Sequence, residues 1–419
     1  MLSLRFLYIL AAFFSFLNAQ SLYNSYGLGI PKFSSYSSVN GLGSIGLIPS
    51  FTNKVSLDNP STWKHLNNSF VSTTYESQSS TLSETMSRSE SSQFGGIQFL
   101  VPVRARYALG LSVKPINNLN TYFKTDTMSY FLHDENINSL KIFKSGGGIM
   151  ASSIALSIPI NSKMDIGFSF DNFFGSSRTE KSIILNSIYY RSLAVNTFKG
   201  SRYNMFFSGD LFESERFQLS VFTGIIKTLS PLSAYTYNFD LFEDTDGDLI
   251  PTGNDFPNNT NVDTLKVENL YAPNAFSLGL NLDFKNSLNS YFEFQLWNDN
   301  AQNMNSLGLF NDQVVSSSHI GAGIVKFGDI SDKDWQDKVT FRLGIYRKNH
   351  KLFSTGNKII ENGLSFGLGI KFGNTNNQLD LSYNNGARSA EDNFSETFNQ
   401  FSIGITVGDV WFLRRRAKQ

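Results

Sequence analysis

The sequence predicts an all-β protein of the transmembrane class, an antiparallel β-barrel, and three observations support that prediction. Apolar residues recur at every second position over much of the chain. The composition is rich in aromatic residues (14%) and poor in charged ones (17%), and its 41% of hydrophobic residues is low for a bundle of membrane helices. The chain also begins with the pattern of an export signal.

Residues 1–19 have the features of a secretory signal peptide. Arg5 supplies a positive charge, residues 6–16 form an apolar run, and Ala19 places a small residue at the expected cleavage point. The alternative is a membrane anchor, which needs about 20 apolar residues, nearly twice the length of this run. Because no later stretch is apolar enough for a membrane helix, the exported chain is expected to be either a soluble protein or an outer-membrane barrel.

The alternating segments have two chemically opposite faces. In residues 363–372 one face carries Leu, Phe, Leu, Ile and Phe, and the other carries Gly, Ser, Gly, Gly and Lys. Residues 275–284 and 339–345 repeat the pattern. Isolated charges in such segments fall on the polar face, where a water-filled lumen would solvate them. These residues are Asp165, Asp283, Glu293, Arg342, Lys371 and Asp380.

Segment length distinguishes a barrel from a soluble β-sandwich, which shows the same alternation. The longest segments have about ten residues, enough for a tilted strand to cross a bilayer, whereas strands of soluble proteins average nearer five or six. A sheet in hydrocarbon must close so that no backbone edge stays unpaired. Residues 68–419 are therefore assigned to a barrel of roughly 12 to 16 strands. Long loops are expected near residues 115–145, 175–200, 228–272 and 298–317.

Residues 20–67 lack clean alternation and are rich in Gly, Ser and Asn. Irregular backbone at membrane depth is tolerated when it lies inside protein, so this segment suits a plug in the lumen. An extended periplasmic tail is the alternative. As a plug, the segment would offer its apolar side chains to a hydrophobic ligand. These side chains are Leu42, Ile45, Leu47 and Ile48.

The loop at residues 244–255 (DTDGDLIPTGND) is a candidate calcium site. Carboxylates at its first, third, fifth and twelfth positions could converge on one cation, because calcium takes six to eight oxygen ligands. These are Asp244, Asp246, Asp248 and Asp255. The spacing resembles the calcium loops of thrombospondin type-3 repeats, although Leu249 stands where glycine is usual. A solvated acidic turn is the alternative.

The sequence gives little support for disulfides, other metal sites, nucleic-acid binding or catalysis. The chain has no cysteine, which excludes disulfides and thiolate metal sites, and the loop 244–255 is the one candidate for a cofactor. His65, His133, His319 and His350 are far apart and show no metal-site spacing. Basic and acidic residues balance at 35 each, so no overall field favours nucleic acid as a partner. We expect no enzyme.

Several glycine-rich motifs resemble a known family. The mature N-terminus carries the sequences YGLG and GLGSIG, then Asp58-Asn59-Pro60-Ser61 before the first strand, and the chain ends in a glycine-spaced apolar strand. These features resemble the FadL/TodX-like transporters of long-chain fatty acids and aromatic hydrocarbons. The resemblance implies about 14 strands, an N-terminal plug with Asn59 and Pro60 in an Asn-Pro-Ala element, and Ser61 in place of its alanine.

The resemblance implies passive uptake of hydrophobic small molecules across the outer membrane of a Gram-negative bacterium. Loop residues Tyr235, Tyr237 and Phe239 are expected to join the plug in contacting the ligand. The alternative is a structural or interaction barrel, such as an accessory of a secretion or surface-attachment system. An apolar, ligand-sized pocket in the lumen would favour transport, whereas a filled lumen with an exposed apolar patch outside would favour interaction. Outer-membrane lipid is a partner in either case, and the sequence leaves the oligomeric state open.

Overall fold

The computed structural model describes most of the chain after the signal-like segment. Its described residues are 21–83, 88–103, 107–132, 135–250, 252–257, 262–284, 287–301, 312–329, 334–373, 375–390 and 395–409. The expected signal peptide, His133 and the arginine-rich C-terminal tail lie outside these residues.

Within the described residues, seventeen strands form one antiparallel sheet. They are β1 (Ser69–Leu82), β2 (Arg88–Pro102), β3 (Ala108–Asn118), β4 (Thr121–Lys124), β5 (Met128–Leu132), β6 (Glu135–Pro159), β7 (Met164–Leu185), β8 (Ile188–Glu213), β9 (Gln218–Glu243), β10 (Val262–Tyr271), β11 (Pro273–Asp283), β12 (Leu288–Asp299), β13 (Val314–Lys326), β14 (Val339–Leu352), β15 (Lys358–Phe372), β16 (Asn377–Ala390) and β17 (Ser395–Asp409). The helices are short: α1 (Ser37–Asn40) and the 3₁₀ segments Leu22–Ser25, Pro60–His65 and Trp335–Lys338.

The sheet closes on itself because β1 pairs with both β2 and β17. Strands β4 and β5 continue the line of β3 along β6, and β10 continues the line of β11 along β9. The wall is therefore a closed barrel of 14 strands, as the family resemblance implies. Among the described residues, no helix is both long and apolar enough to span a bilayer.

The alternation assigns the two faces as the sequence predicts. Leu364 and Phe366 on β15 are exposed on the outside, while their neighbour Ser365 is buried inside. The lumen encloses the charges expected there: Asp165, Glu293, Arg342, Lys371 and Asp380 are all buried. Apolar side chains thus face the lipid and polar ones face the interior, which is the inverse of a soluble protein.

The strands differ greatly in length around the barrel. Strands β6 to β9 have 22 to 26 residues, whereas β11 to β17 have 11 to 15. A crossing needs only about ten residues. Outward-facing Lys199, 14 residues before the end of β8, and Lys227, nine residues after the start of β9, mark the end of the apolar band. The upper parts of β6 to β10 therefore project beyond the membrane as a sheet, which we call the protruding wall. Its described residues are 121–132, 135–147, 176–197, 230–250, 252–257 and 262–271.

The prediction of a long loop is wrong for three of the expected ranges. Much of each range is strand in the protruding wall; the ranges are 115–145, 175–200 and 228–272. Sheet pairing continues there because each strand finds a neighbour to bond with above the membrane. The hairpin between β7 and β8 closes at Asn186 and Ser187, whose φ angles of 46° and 75° give the twist that a two-residue turn requires.

Candidate functional site

The N-terminal segment (residues 21–68) lies inside the barrel. Helix α1 contacts β15, β16 and β17, and the 3₁₀ helix Pro60–His65 contacts β6, β7 and β8, so the segment reaches opposite walls. Nearly all of its side chains between Ser34 and Trp63 are buried. Gly41 on this segment and Gly367 on β15 meet so closely that a Cβ on Gly41 would lie 2.7 Å from the Cα of Gly367.

Glu293 on β12 is the strongest anchor of this segment. It is fully buried, and its two carboxylate oxygens accept four hydrogen bonds from the chain segment opposite. The donors are Ser44 Oγ at 2.6 Å, Ile45 N at 2.8 Å, Leu47 N at 3.0 Å and Ile48 N at 2.8 Å. A buried carboxylate is stable only when it is hydrogen-bonded in this way, so it fixes the course of residues 44–48.

Arg342 on β14 is a second anchor. Its Nε and Nη2 donate to the carbonyl oxygen of Ser50 at 3.1 and 2.9 Å, and its Nη1 donates to Asp380 at 2.7 Å. All three groups are buried. The sequence predicted that these charges face the lumen, but it gave no sign that they bind the N-terminal segment.

Further ion pairs join the segment to the barrel wall. Lys32 pairs with Glu76 on β1, and Lys64 pairs with Asp165 on β7. Asp58 accepts from Lys114 on β3 at 3.1 Å. Each joins residues far apart in the chain, so together they tie the segment to three strands.

Asn59 and Pro60 form the turn that the family resemblance singled out. Asn59 Oδ1 accepts from the N–H of Ser61 at 3.1 Å, which caps the 3₁₀ helix, and its Nδ2 donates to the carbonyl oxygen of Leu47 at 2.7 Å. Pro60 occupies the first helical position, where no N–H is required. Gly167 on β7 allows the close approach, since a Cβ there would lie 2.5 Å from Ser61 N.

The apolar residues expected to meet a ligand are packed against the wall. All four are buried, in a cluster that also includes Phe222, Tyr291, Val325 and Phe327 from strands and their ends. The four are Leu42, Ile45, Leu47 and Ile48. In the described part of the chain, these four side chains pack against protein and line none of the cavities at Lys32, Asp165 or Asn67.

The cavities beside the segment are polar. The one at residues 52–67 has a volume of about 530 Å³, and the one at Lys32 has about 130 Å³, below the roughly 300–1,000 Å³ of typical ligand sites. The lining of the cavity at Lys32 includes the charged side chains Lys32, Glu76, Lys348, Glu361 and Arg388. Such a surface suits water more than an apolar compound.

The barrel wall has a break next to the cavity at Lys32. Strand β2 pairs with β3 only from Ile97 to Pro102, because β3 bends inward beyond Val113 and Pro31 bridges to Asn117 inside. Across the break, Asn118 Nδ2 donates to Gln93 Oε1 at 2.8 Å. The break is thus spanned by side chains where backbone pairing stops.

Tyr235, Tyr237 and Phe239 lie on strand β9, not in a loop. They share a face with Thr197, Val195 and Leu193 of β8, and their side chains point away from the lumen. Tyr235 and Tyr237 are 44% and 43% exposed. They belong to the outer surface of the protruding wall.

The acidic loop folds back onto this outer surface. Asp244 pairs with Arg191 of β8 at 2.6 Å, and Arg178 of β7 donates to the carbonyl oxygen of Leu249 at 2.8 Å. Asp244, Asp246 and Asp255 place carboxylate oxygens within 4.8 Å of one another, whereas Asp248 is outside this group.

Backbone hydrogen bonds order the same loop. The N–H groups of Thr252 and Thr245 donate to Asp255 at 2.8 and 2.9 Å and hold the pKa of this carboxyl below its ordinary value. The three carboxylates could serve a hard cation, but the guanidinium of Arg191 already neutralises part of their charge.

A serine–histidine contact occurs in the wall. Ser317 on β13 lies 2.9 Å from Nδ1 of His350 on β14. Both residues are buried, His350 completely. Burial closes this pair off from solvent.

Comparison with known proteins supplies the family. The sequence profile of the BamG family matches residues 1–418. The chain belongs to the BamG family. Comparison with curated protein sequences finds no match.

Solved structures with the same architecture include hydrocarbon channels and transporters. The CymD monoaromatic hydrocarbon channel superposes with a TM-score of 0.56 at 12% identity, covering 94% of this chain and 100% of that one. The Ralstonia pickettii toluene transporter TbuX gives 0.50 at 11%, covering 84% and 92%, and the P. putida toluene transporter TodX gives 0.50 at 11%, covering 89% and 100%. The expected FadL/TodX-like fold is therefore confirmed for this BamG-family chain.

Proposed function

We propose that this BamG-family chain is an interaction barrel of the outer membrane of a Gram-negative bacterium, which presents its protruding wall to a protein partner. One contrast supports this proposal most: the lumen is filled by the N-terminal segment, while large apolar side chains are exposed above the membrane. A filled lumen makes the segment a structural plug. The exposed side chains are Tyr122, Phe123, Met128, Tyr130, Phe131, Ile188, Tyr189, Tyr235, Tyr237, Leu241, Ile250, Phe256, Val262 and Leu265.

These residues lie above the membrane, where lipid does not cover them. Apolar side chains on the lower strands are covered by lipid, but those of the protruding wall would face water. Phe256 is 73% exposed and Leu241 is 53% exposed. Each large aromatic side chain left in water forgoes about 1.5–3 kcal/mol of burial free energy, so a surface with many of them favours a covering partner.

The test is site-specific photocrosslinking in native outer membranes. The photoreactive amino acid p-benzoylphenylalanine replaces Tyr237 on the protruding wall or, as a matched control, Phe170 on the lipid-facing part of β7. We expect Tyr237 to crosslink to one protein and Phe170 to crosslink to lipid only. Crosslinks to lipid at both positions would contradict the proposal.

The second candidate is the passive channel for fatty-acid or hydrocarbon-like molecules. It is favoured by the architecture shared with hydrocarbon channels and by the break between β2 and β3, through which an apolar molecule could leave sideways. It requires the N-terminal segment to move, because the buried Leu47 and Ile48 must become accessible. Capture by the outer aromatic residues would come first.

Toluene flux into proteoliposomes separates the two candidates. A channel predicts flux above that of protein-free vesicles for the natural sequence, with enrichment of apolar compounds in the purified protein by mass spectrometry. An interaction barrel predicts background flux. Glu293→Leu, which releases residues 44–48, serves as the open control and verifies that the assay can detect passage.

We also propose that the loop 244–255 binds calcium weakly through Asp244, Asp246 and Asp255. The dissociation constant is expected near 10⁻⁴–10⁻³ M, typical of extracellular modules. Asp246→Asn should weaken binding in a calcium titration, and Asp248→Asn, outside the set, should leave it unchanged. Arg191→Met should strengthen binding because it removes the competing positive charge. No saturable binding up to about 10 mM, well above that range, would rule the site out.

A further inference from the structure

The protruding wall ends in an unpaired strand edge. Strands β4 and β5 pair with β6 on one side, and Thr125 between them donates to the carbonyl oxygen of Lys141. Among the described residues neither strand pairs with anything on its other side. Residues 121–132, which we call the β4–β5 edge, thus offer a row of backbone N–H and C=O groups beside the break in the wall.

The side chains from Met128 to Phe131 on this edge are exposed on both faces of the sheet. Met128 is 55% exposed, Tyr130 51% and Phe131 71%, although neighbouring residues of a strand point in opposite directions. Lys124 and Asp126 are the charged residues of the edge. The edge from Met128 to Phe131 therefore combines open backbone groups with apolar surface on both sides.

Strand β10, at the opposite edge of the wall, has no pairing partner besides β9 among the described residues and shows how a protected edge is built. Strand β10 carries exposed Asp263, Lys266 and Glu268, with Lys266 and Glu268 forming an ion pair, and its pairing to β9 shifts between Val267 and Tyr271. Charges and irregular pairing are the usual features that prevent strand addition. The segment from Met128 to Phe131 has neither.

We propose that the β4–β5 edge binds an extended segment of a partner protein as an added β-strand. The backbone groups would supply the hydrogen bonds, and Tyr130 and Phe131 would select a partner strand with apolar side chains and few charges. The proposal rests on the proposed function of the wall and assigns it a specific element and mode of binding.

Open backbone groups beside the exposed side chains of Tyr130 and Phe131 favour a protein strand as the occupant. Lipid cannot satisfy N–H and C=O groups in the way a strand can, and above the apolar band there is no hydrocarbon to cover the aromatic side chains. A second copy of this chain would place its own β4–β5 edge there, and its crosslinks would then fall within residues 121–132. Strand β2 of the same chain, on the far side of the break, directs Ser91 and Gln93 at the polar cavity at Lys32 and exposes one large apolar side chain there, Phe94.

The experiment maps contacts residue by residue. In the full-length protein in native outer membranes, p-benzoylphenylalanine replaces Ser129, Tyr130 or Phe131 one at a time, and crosslinked peptides are sequenced by mass spectrometry. An added strand predicts crosslinks to one segment of one protein, with the crosslinked position moving along that segment by one residue for each step in this chain.

Three results would overturn the proposal. They are the absence of protein crosslinks, crosslinks to residues 88–94 of the same chain, and crosslinks to residues 121–132 of a second copy. If Tyr237 crosslinks to protein while residues 129–131 do not, the proposed function of the wall stands and only strand addition fails.

Charged variants give an independent readout. Phe131→Lys and Tyr130→Lys place a charge on the edge and should abolish the crosslink from Ser129, whereas Leu265→Lys on the β10 edge is the matched control and should leave it intact. All three positions are exposed, so each variant should still migrate as a folded barrel in unheated gels. Loss of the crosslink in Leu265→Lys, or its survival in both edge variants, would contradict strand addition.

Discussion

The short-walled and long-walled sides of the barrel differ in what their extra side chains do. On the short side, from β11 to β17, charged residues point inward and hold the N-terminal segment, as Glu293 and Arg342 do. On the long side, from β6 to β10, the additional residues extend into water and expose aromatic groups such as Tyr237. The same alternating pattern therefore holds the N-terminal segment in the membrane-spanning part of the wall, where Asp165 of β7 also contributes, and forms an exterior surface in the protruding wall.

This difference teaches that stability and interaction are located in separate parts of the molecule. Buried ion pairs are costly to break, so substitutions on the short side should destabilise the protein. Exposed wall residues make few internal contacts, so changes there should affect partners before they affect folding.

The largest expected effect comes from Arg342→Met. It leaves the carboxylate of Asp380 buried without its partner and removes two hydrogen bonds to Ser50, at a cost of about 3–5 kcal/mol. The temperature at which the barrel unfolds in gel-shift assays should fall. The double variant Arg342→Met/Asp380→Leu should recover part of the loss, and a double variant less stable than the single one would show that the pair is not the cause.

Glu293→Leu should have the next largest effect. It leaves the donors of residues 44–48 without an acceptor in a buried site, at a cost of about 3 kcal/mol, or on the order of a hundredfold in the population with the segment detached. Protease cleavage within residues 44–48 measures this population. Glu293→Gln keeps one acceptor oxygen and should be cleaved more slowly than the leucine variant; equal cleavage of both would argue against the anchor.

A smaller effect is expected for Asn59→Ala. It removes the cap of the 3₁₀ helix Pro60–His65 and the hydrogen bond to Leu47, at a cost of about 1–2 kcal/mol. Hydrogen exchange of the Ser61 and Thr62 amides should accelerate while exchange in the strands is unchanged. Asn59→Asp retains the capping oxygen but loses the bond to Leu47, so the exchange rate of these amides should lie between that of the natural protein and that of Asn59→Ala.

The smallest effect concerns pH and the loop on the long wall. Because the folded pKa of Asp255 is lowered, its contribution to loop order is fully present above the ordinary aspartate pKa and is lost as pH falls through the lowered value. Protease resistance of residues 244–257 should stay constant from pH 7 to about pH 5 and decline only below the ordinary aspartate range near 3.9. Asp255→Asn should remove this dependence of protease resistance on pH. A decline in resistance near pH 6 would show that the titration of a group other than Asp255 controls the order of the loop.

Much of the fold could be predicted from the sequence because alternation is a local property. Residues two apart share a face, so Leu364, Phe366 and Ser365 reveal lipid and lumen sides without knowledge of any neighbour. Segment length then indicated a membrane, and closure followed from the need to pair every backbone group. The inward positions of Arg342 and Asp380 were predictable for the same reason.

The contacts of those inward residues could not be predicted. Ser44 and Glu293 are 249 positions apart in the chain, and only the register of the closed sheet brings them within 2.6 Å. The protruding wall was missed because its polar strands resemble loops locally, and their pairing depends on neighbours such as Tyr237 and Val195 in different strands.

The sequence by itself thus determined the class of protein, the two faces of its strands and the polarity of its lumen, since these depend on residue type and spacing alone. The tertiary structure decided that Leu42 and Ile48 pack against the barrel wall and that Asp244 and Asp255 converge while Asp248 is outside their group. It also decided that, among the described residues, the β4–β5 edge pairs with β6 alone. Each of these features depends on where distant segments lie in the closed sheet. The register of strand pairing fixes those positions, and the local sequence pattern does not.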